Sequence, residues 1–167
     1  MSLILSLVLI ADIAPGIPEQ NQKKPAIESL TPYDASALLK NLNGEVLETD
    51  PQTLFFPAEA FNLVKGIKDP AAYHKQLVSW FVADLDQERE RLKTGAPWTI
   101  DSFKLGSCKW KEKGIEANAL PYWSCYKSKL KLKNARSETN LVEIRALINW
   151  GVQWYPTHLL PIPAAKK

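Results

Sequence analysis

Metal-binding side chains are scarce in this chain: 167 residues hold two histidines and two cysteines. His74 and His158 sit in no HxH or HExxH arrangement, no carboxylate-rich cluster surrounds them, and Cys108 and Cys125 are far from CxxC spacing, so no metal site is expected. GxGxxG, P-loop and GxSxG motifs are absent as well, which leaves nucleotide cofactors and a hydrolase nucleophile elbow without support; no cofactor is expected. No apolar run approaches the ~20 residues needed to cross a bilayer, so no transmembrane helix is expected. Charge of one dominant sign is also lacking: a net +3 and a pI near 8.8 give no strong nucleic-acid or anionic-membrane signal.

What is present suffices for one domain, with 46% hydrophobic and 23% charged residues, the proportions of an ordinary soluble protein. The apolar run Leu3 to Ile10, followed by Ala11 to Pro15, has the length of the core of a secretory signal, which needs about 7 to 15 such residues. Residues 1–14 are therefore expected to direct export to the periplasm or the medium, although no Lys or Arg precedes the run. The alternative is an N-terminal element packed on a cytoplasmic domain. Residues 15–32, PGIPEQNQKKPAIESLTP, carry four prolines and no apolar period and read as a linker. Residues 33–160 make the expected domain, and 161–167 a short extended tail.

The domain changes character at Pro97. Residues 1–97 carry 9 Lys and Arg against 13 Asp and Glu, and 98–167 carry 12 against 5. The acidic part reads as helices. Asp34 can cap one that stops at Asn43 and Gly44, Pro57 to Val64 forms a second before Gly66, and Asp69 with Pro70 starts a third of about 24 residues closed by Gly95. In that third helix Tyr73, Leu77, Trp80, Phe81, Leu85 and Leu92 follow a helical period. After Pro97 the period is two. Trp98 to Trp110 forms one extended segment, and Tyr122 to Lys133 alternates Tyr122, Tyr126, Leu130 and Leu132 with Lys127, Lys129, Lys131 and Lys133. Leu141 to Trp150 is a further strand, which Gly151 turns back into Trp154 to Leu160. Cys108 and Cys125 fall in neighbouring strands and could form one disulfide in an exported protein, or stay as two buried thiols.

Helices followed by about four antiparallel strands define an α+β domain with a long helix against a curved sheet. This order, with the ending VEIRALINWGVQWYPTHL, resembles the NTF2-like superfamily, a cone-shaped fold that includes SnoaL-like proteins; cystatin-like folds share the order, but their QxVxG loop is absent here. The resemblance covers about Pro57 to Leu160. It implies a pocket between helix and sheet, to which the helix would contribute Tyr73, Leu77, Trp80, Phe81 and Asp84, and the sheet Tyr122, Tyr126, Ile148 and Trp150. In some members of the superfamily such a pocket is catalytic, and in others it only binds. Dimerisation through the sheet, common among such proteins, is a further implication.

Three functions are compatible with these residues. The first is an exported, non-catalytic protein that binds a small apolar molecule or a protein partner. The second is a small lyase or isomerase, for which Asp84, His74 and Tyr155 are the candidate acid-base groups: a carboxylate facing a closed aromatic pocket would have a raised pKa. The third is a polyanion or glycan binder that uses Lys127, Lys129, Lys131 and Lys133 with Trp123 on the same sheet face.

Overall fold

Local chemistry sets the helices in the computed structural model, which describes residues 16–45 and 50–160. Helix α1 (Ser36–Leu42) begins where the Asp34 carboxylate accepts the Ser36 N–H at 2.9 Å. A short turn at Pro51–Leu54, capped by Asp50, leads to α2 (Ala58–Val64). The long helix α3 (Pro70–Leu92) starts as the sequence signals, with the Asp69 carboxylate accepting the Ala72 N–H at 2.9 Å and proline in the first turn, where no partner is needed for its missing N–H. It buries Leu77, Val78, Phe81, Leu85 and Leu92 along one face, and the chain beyond it tightens into a 3-10 turn, Lys93–Gly95.

Five strands form one curved antiparallel sheet: β1 (Trp98–Lys104), β2 (Ser107–Lys111), β3 (Tyr122–Asn134), β4 (Thr139–Trp150) and β5 (Gln153–His158). The expected α+β order is thus present, with one strand more than anticipated. The single extended segment Trp98 to Trp110 is interrupted at Leu105 and Gly106, so β1 and β2 lie end to end along β3, pairing Lys104 with Lys129 and Ser107 with Tyr126. At the break the Gly106 N–H turns to the Ser128 hydroxyl at 3.0 Å, and Lys127 opposite takes a left-handed φ of 59°. Irregular register at Ile100/Ser102 and at Ala146/Leu147 bends the outer strands. Leu130, Leu132, Val142 and Ile144 have no exposed surface and join Phe81, Leu85 and Leu92 of α3 in one core.

The N-terminal stretch that reads as a linker is a strap laid on the sheet. Asn21 is fully buried, accepts the Gly151 N–H at 2.7 Å and donates its amide to the Pro121 carbonyl at 3.1 Å, and Thr31 N–H bonds Val152 O. Polar, proline-rich composition reads as a linker, but Asn21 meets the backbone at the start of β3 and at the β4–β5 turn, and Leu30 is buried in the core. Asn21→Ala is expected to leave the half-buried Gly151 donor without its partner and to cost about 2 kcal/mol in urea unfolding, with faster tryptic cleavage after Lys23. An unchanged midpoint and cleavage rate would show that the strap contributes nothing to stability. The expected secretory segment 1–14 and the tail 161–167 lie outside the described residues.

Candidate functional site

Below the core leucines the sheet parts from the helices. Tyr122, Ser124 and Tyr126 of β3 share a face with Ala146 and Ile148 of β4, through the pairs Ser124 with Ile148 and Tyr126 with Ala146. Phe55, Phe61 and Leu77 stand across from them, and a cavity of about 320 Å³ remains between. That is within the usual range of small-molecule sites, roughly 300 to 1,000 Å³. Thr157 and His158 line one side, and Lys65, Tyr73 and Glu116 another. Tyr73 is 39% exposed, so it stands at the mouth rather than in the floor.

The Lys65 side is the polar one. Lys65, at the C-terminal end of α2, donates to Asn118 Oδ1 at 2.7 Å and to the Glu116 carbonyl at 3.2 Å, while Lys111 of β2 binds the Glu116 carboxylate at 2.6 Å. The loop that presents Glu116 holds left-handed backbone at Gly114, Glu116 and Ala117, and is pinned to α2 by Ala119 N–H to Val64 O and Gly66 N–H to Ala117 O. Burial pulls the Lys65 ammonium below its ordinary pKa, partly offset by Glu116, whereas the hydrogen bond to Glu116 holds Lys111 above its own. Burial pushes the Tyr122 phenol up to about 12, and Tyr33, packed against Phe103, higher than its ordinary value for the same reason with help from Asp34.

These phenols bind their protons more tightly in the folded chain, so their contribution is complete below pH 10 and is lost as pH rises toward 12. Absorbance titration at 295 nm is expected to show two of the five tyrosines ionising late, together with alkaline unfolding. Uniform titration near pH 10 with the fold intact would contradict their burial.

The structure gathers Tyr73, Leu77, Tyr122, Tyr126 and Ile148 of the expected pocket around this cavity. It places the other four elsewhere. Phe81 is core, 5.5 Å from Phe55; Trp80 lies 6.4 Å from His158; Trp150 packs edge-on against Phe56, as does Tyr155. The Asp84 carboxylate accepts the backbone N–H groups of Leu159 and Leu160 at 3.1 and 3.3 Å and so clamps the end of β5 to α3. His74 is held by the Phe56 carbonyl at 2.7 Å, with its ring edge-on to those of Phe55 and Phe61, and does not line the cavity. Lys65, Glu116 and His158 of the lining carry no signal in the sequence, because they come from a helix end, a loop and a strand end with no period to place them.

Cys108 and Cys125 are direct partners across β2 and β3 and form a disulfide. On the lysine face, Lys131 and Lys133 share the carboxylate of Asp101 at 2.8 and 3.6 Å, which lies below its ordinary pKa chiefly through Lys131. Trp123 bonds the Pro25 carbonyl through its indole N–H and lies under Lys24, so the strap covers it. Hollows elsewhere on the molecule include one between the Pro51–Leu54 turn and α3, lined by Gln52, His74, Lys75 and Ser79, and one between the strap and Phe103, Leu105 and Trp154. Neither joins helices α2 and α3 to the sheet. Among the described residues no helix is long and apolar enough to cross a membrane, and no group of three or more potential metal ligands occurs.

Comparison with protein families, curated proteins and solved structures gives no match, so the site is read from its own geometry. Fold and cavity together define an α+β domain with an aromatic-lined space between helix and sheet.

Proposed function

We propose that this is a non-catalytic, NTF2-like binding domain that acts outside the cytoplasm and takes a small, largely apolar molecule between helix and sheet. The observation that carries the reading is the 320 Å³ cavity with Phe55, Phe61, Leu77 and Ile148 on its walls and hydroxyls at one side. The disulfide is compatible with an oxidising compartment. Leu77→Trp would place an indole in the cavity. Native mass spectrometry of the unaltered protein from its own host is expected to show a retained organic adduct, and Leu77→Trp to lose it while folding normally. An adduct that persists in that variant would place binding elsewhere; no adduct, and no saturable uptake of small apolar probes, would remove the proposal.

A second reading, an acid-base enzyme, has one observation in its favour: His158 lines the cavity, with Asp84 Oδ2 3.7 Å from its Nδ1. That separation is too long for a hydrogen bond, and the same oxygen already serves two backbone donors. A turnover abolished by His158→Gln with the fold intact would favour the enzyme over the binder.

A further inference from the structure

The cavity has an apolar end and a donor-rich end. At the donor-rich end Lys65 is half-buried, yet none of the ion pairs among the described residues includes it. The nearest carboxylate, Glu116, is engaged by Lys111 at 2.6 Å. With Glu116 neutralised by Lys111, Lys65 leaves an excess of one positive charge at this end, where burial penalises an uncompensated charge. An ammonium has three protons to donate, and Lys65 directs two hydrogen bonds, to Asn118 Oδ1 and to Glu116 O.

The residue that holds Lys65 is itself buried. Asn118 is 3% exposed, and its Nδ2 is a buried side-chain nitrogen with no hydrogen-bond partner. The amide's oxygen is used by Lys65, so its donor side is what remains. Its neighbour on that side is the Tyr122 hydroxyl, toward which it acts to favour the phenolate. Behind the cavity wall, Asn118 thus sits between two of its polar groups, Lys65 and Tyr122, and fixes the ammonium in place.

Resting on the cavity reading above, we propose that the ligand is a small amphipathic carboxylate. Its ionised oxygens would be held by Lys65, which Asn118 Oδ1 positions, and its apolar body would lie against Phe55, Phe61, Leu77 and Ile148. Carboxylate supplies what this end lacks: one negative charge and several acceptor lone pairs. Glu116 stays on Lys111 and sets the limit on charge, because a second negative group on the ligand would meet its carboxylate.

Matched probes decide the matter. Sodium octanoate and 1-octanol differ only in the head, and both are titrated against the full chain while backbone amides of Ser124, Tyr126 and Ile148 are followed by nitrogen-15 NMR. Octanoate is expected to bind at least about tenfold more tightly than octanol, with that preference removed in Lys65→Met and octanol binding unchanged. Equal binding of the two probes would leave the cavity reading standing and overturn the carboxylate. No shift of these amides with either probe would overturn both. The comparison on the unaltered chain needs no variant, so it decides even if Lys65→Met does not fold.

Discussion

Replacing Cys108 and Cys125 together by alanine is expected to lower the unfolding free energy by about 3 kcal/mol. The bridge closes a loop between positions 17 apart, and a loop near that length restricts the unfolded chain by about this amount in the chain-entropy view. The location adds a local consequence. Strand β2 pairs with β3 alone and forms the edge of the sheet there, so without the bridge five ladder positions hold it. Urea unfolding of the oxidised, reduced and doubly substituted chains measures the effect, and hydrogen exchange at Ser107 to Lys111 localises it. Reduced and substituted proteins should agree with each other and differ from the oxidised one. Equal midpoints for all three would mean that the pairing of β2 rests on the ladder and not on the bridge. Because β2 also carries Lys111, its fraying is expected to release Glu116 and open the polar side of the cavity.

The features legible in the sequence are those whose cause is local. Asp69 and Pro70 start α3 through chemistry within one turn, and Gly151, with φ 58°, closes the β4–β5 hairpin from its own conformational freedom. The alternation Leu130, Lys131, Leu132, Lys133 assigns faces correctly because strand geometry has a period of two. The pairing of Cys108 with Cys125 follows from adjacent strands. The features that stayed hidden depend on what arrives from far along the chain. Helical period put Asp84 on the edge of the buried face, but the backbone it clamps belongs to residues 159 and 160. Alternation put Trp123 on the lysine side, and only the strap, about a hundred residues earlier, determines that it is covered. Asn118 and Lys65 meet through an isolated bridge between a helix end and a loop, for which neither composition nor periodicity carries a signal. All nine expected pocket residues lie on α3, β3 or β4, and five of them reach the cavity: the period places a side chain on a face but does not say which stretch of that face the cavity meets.

Gly106→Ala is the second substitution with a large expected effect, and its cause is steric. A Cβ at this position would stand 1.9 Å from the Tyr126 carbonyl oxygen, 2.7 Å from the Lys127 carbonyl carbon and 2.8 Å from the Ser128 nitrogen. All three are backbone atoms of the central strand, so no side chain can swing aside. The break between β1 and β2 would have to lift from β3, losing the Gly106 N–H to Ser128 Oγ bond and disturbing Tyr126 in the cavity wall. The expected loss is about 3 kcal/mol, at the upper end for overpacking, and thermal unfolding measures it. Gly114→Ala supplies the contrast. Gly114 has φ of 90° and nothing within 4 Å of the place an alanine methyl would occupy, so only its backbone preference is at stake and the expected cost is about 1 kcal/mol. If the two variants were equally destabilised, contact with β3 would not be what requires glycine at 106. If Gly106→Ala alone also weakened octanoate binding, the close approach of the β1–β2 break to Tyr126 would be tied to the shape of the cavity as well as to the stability of the sheet.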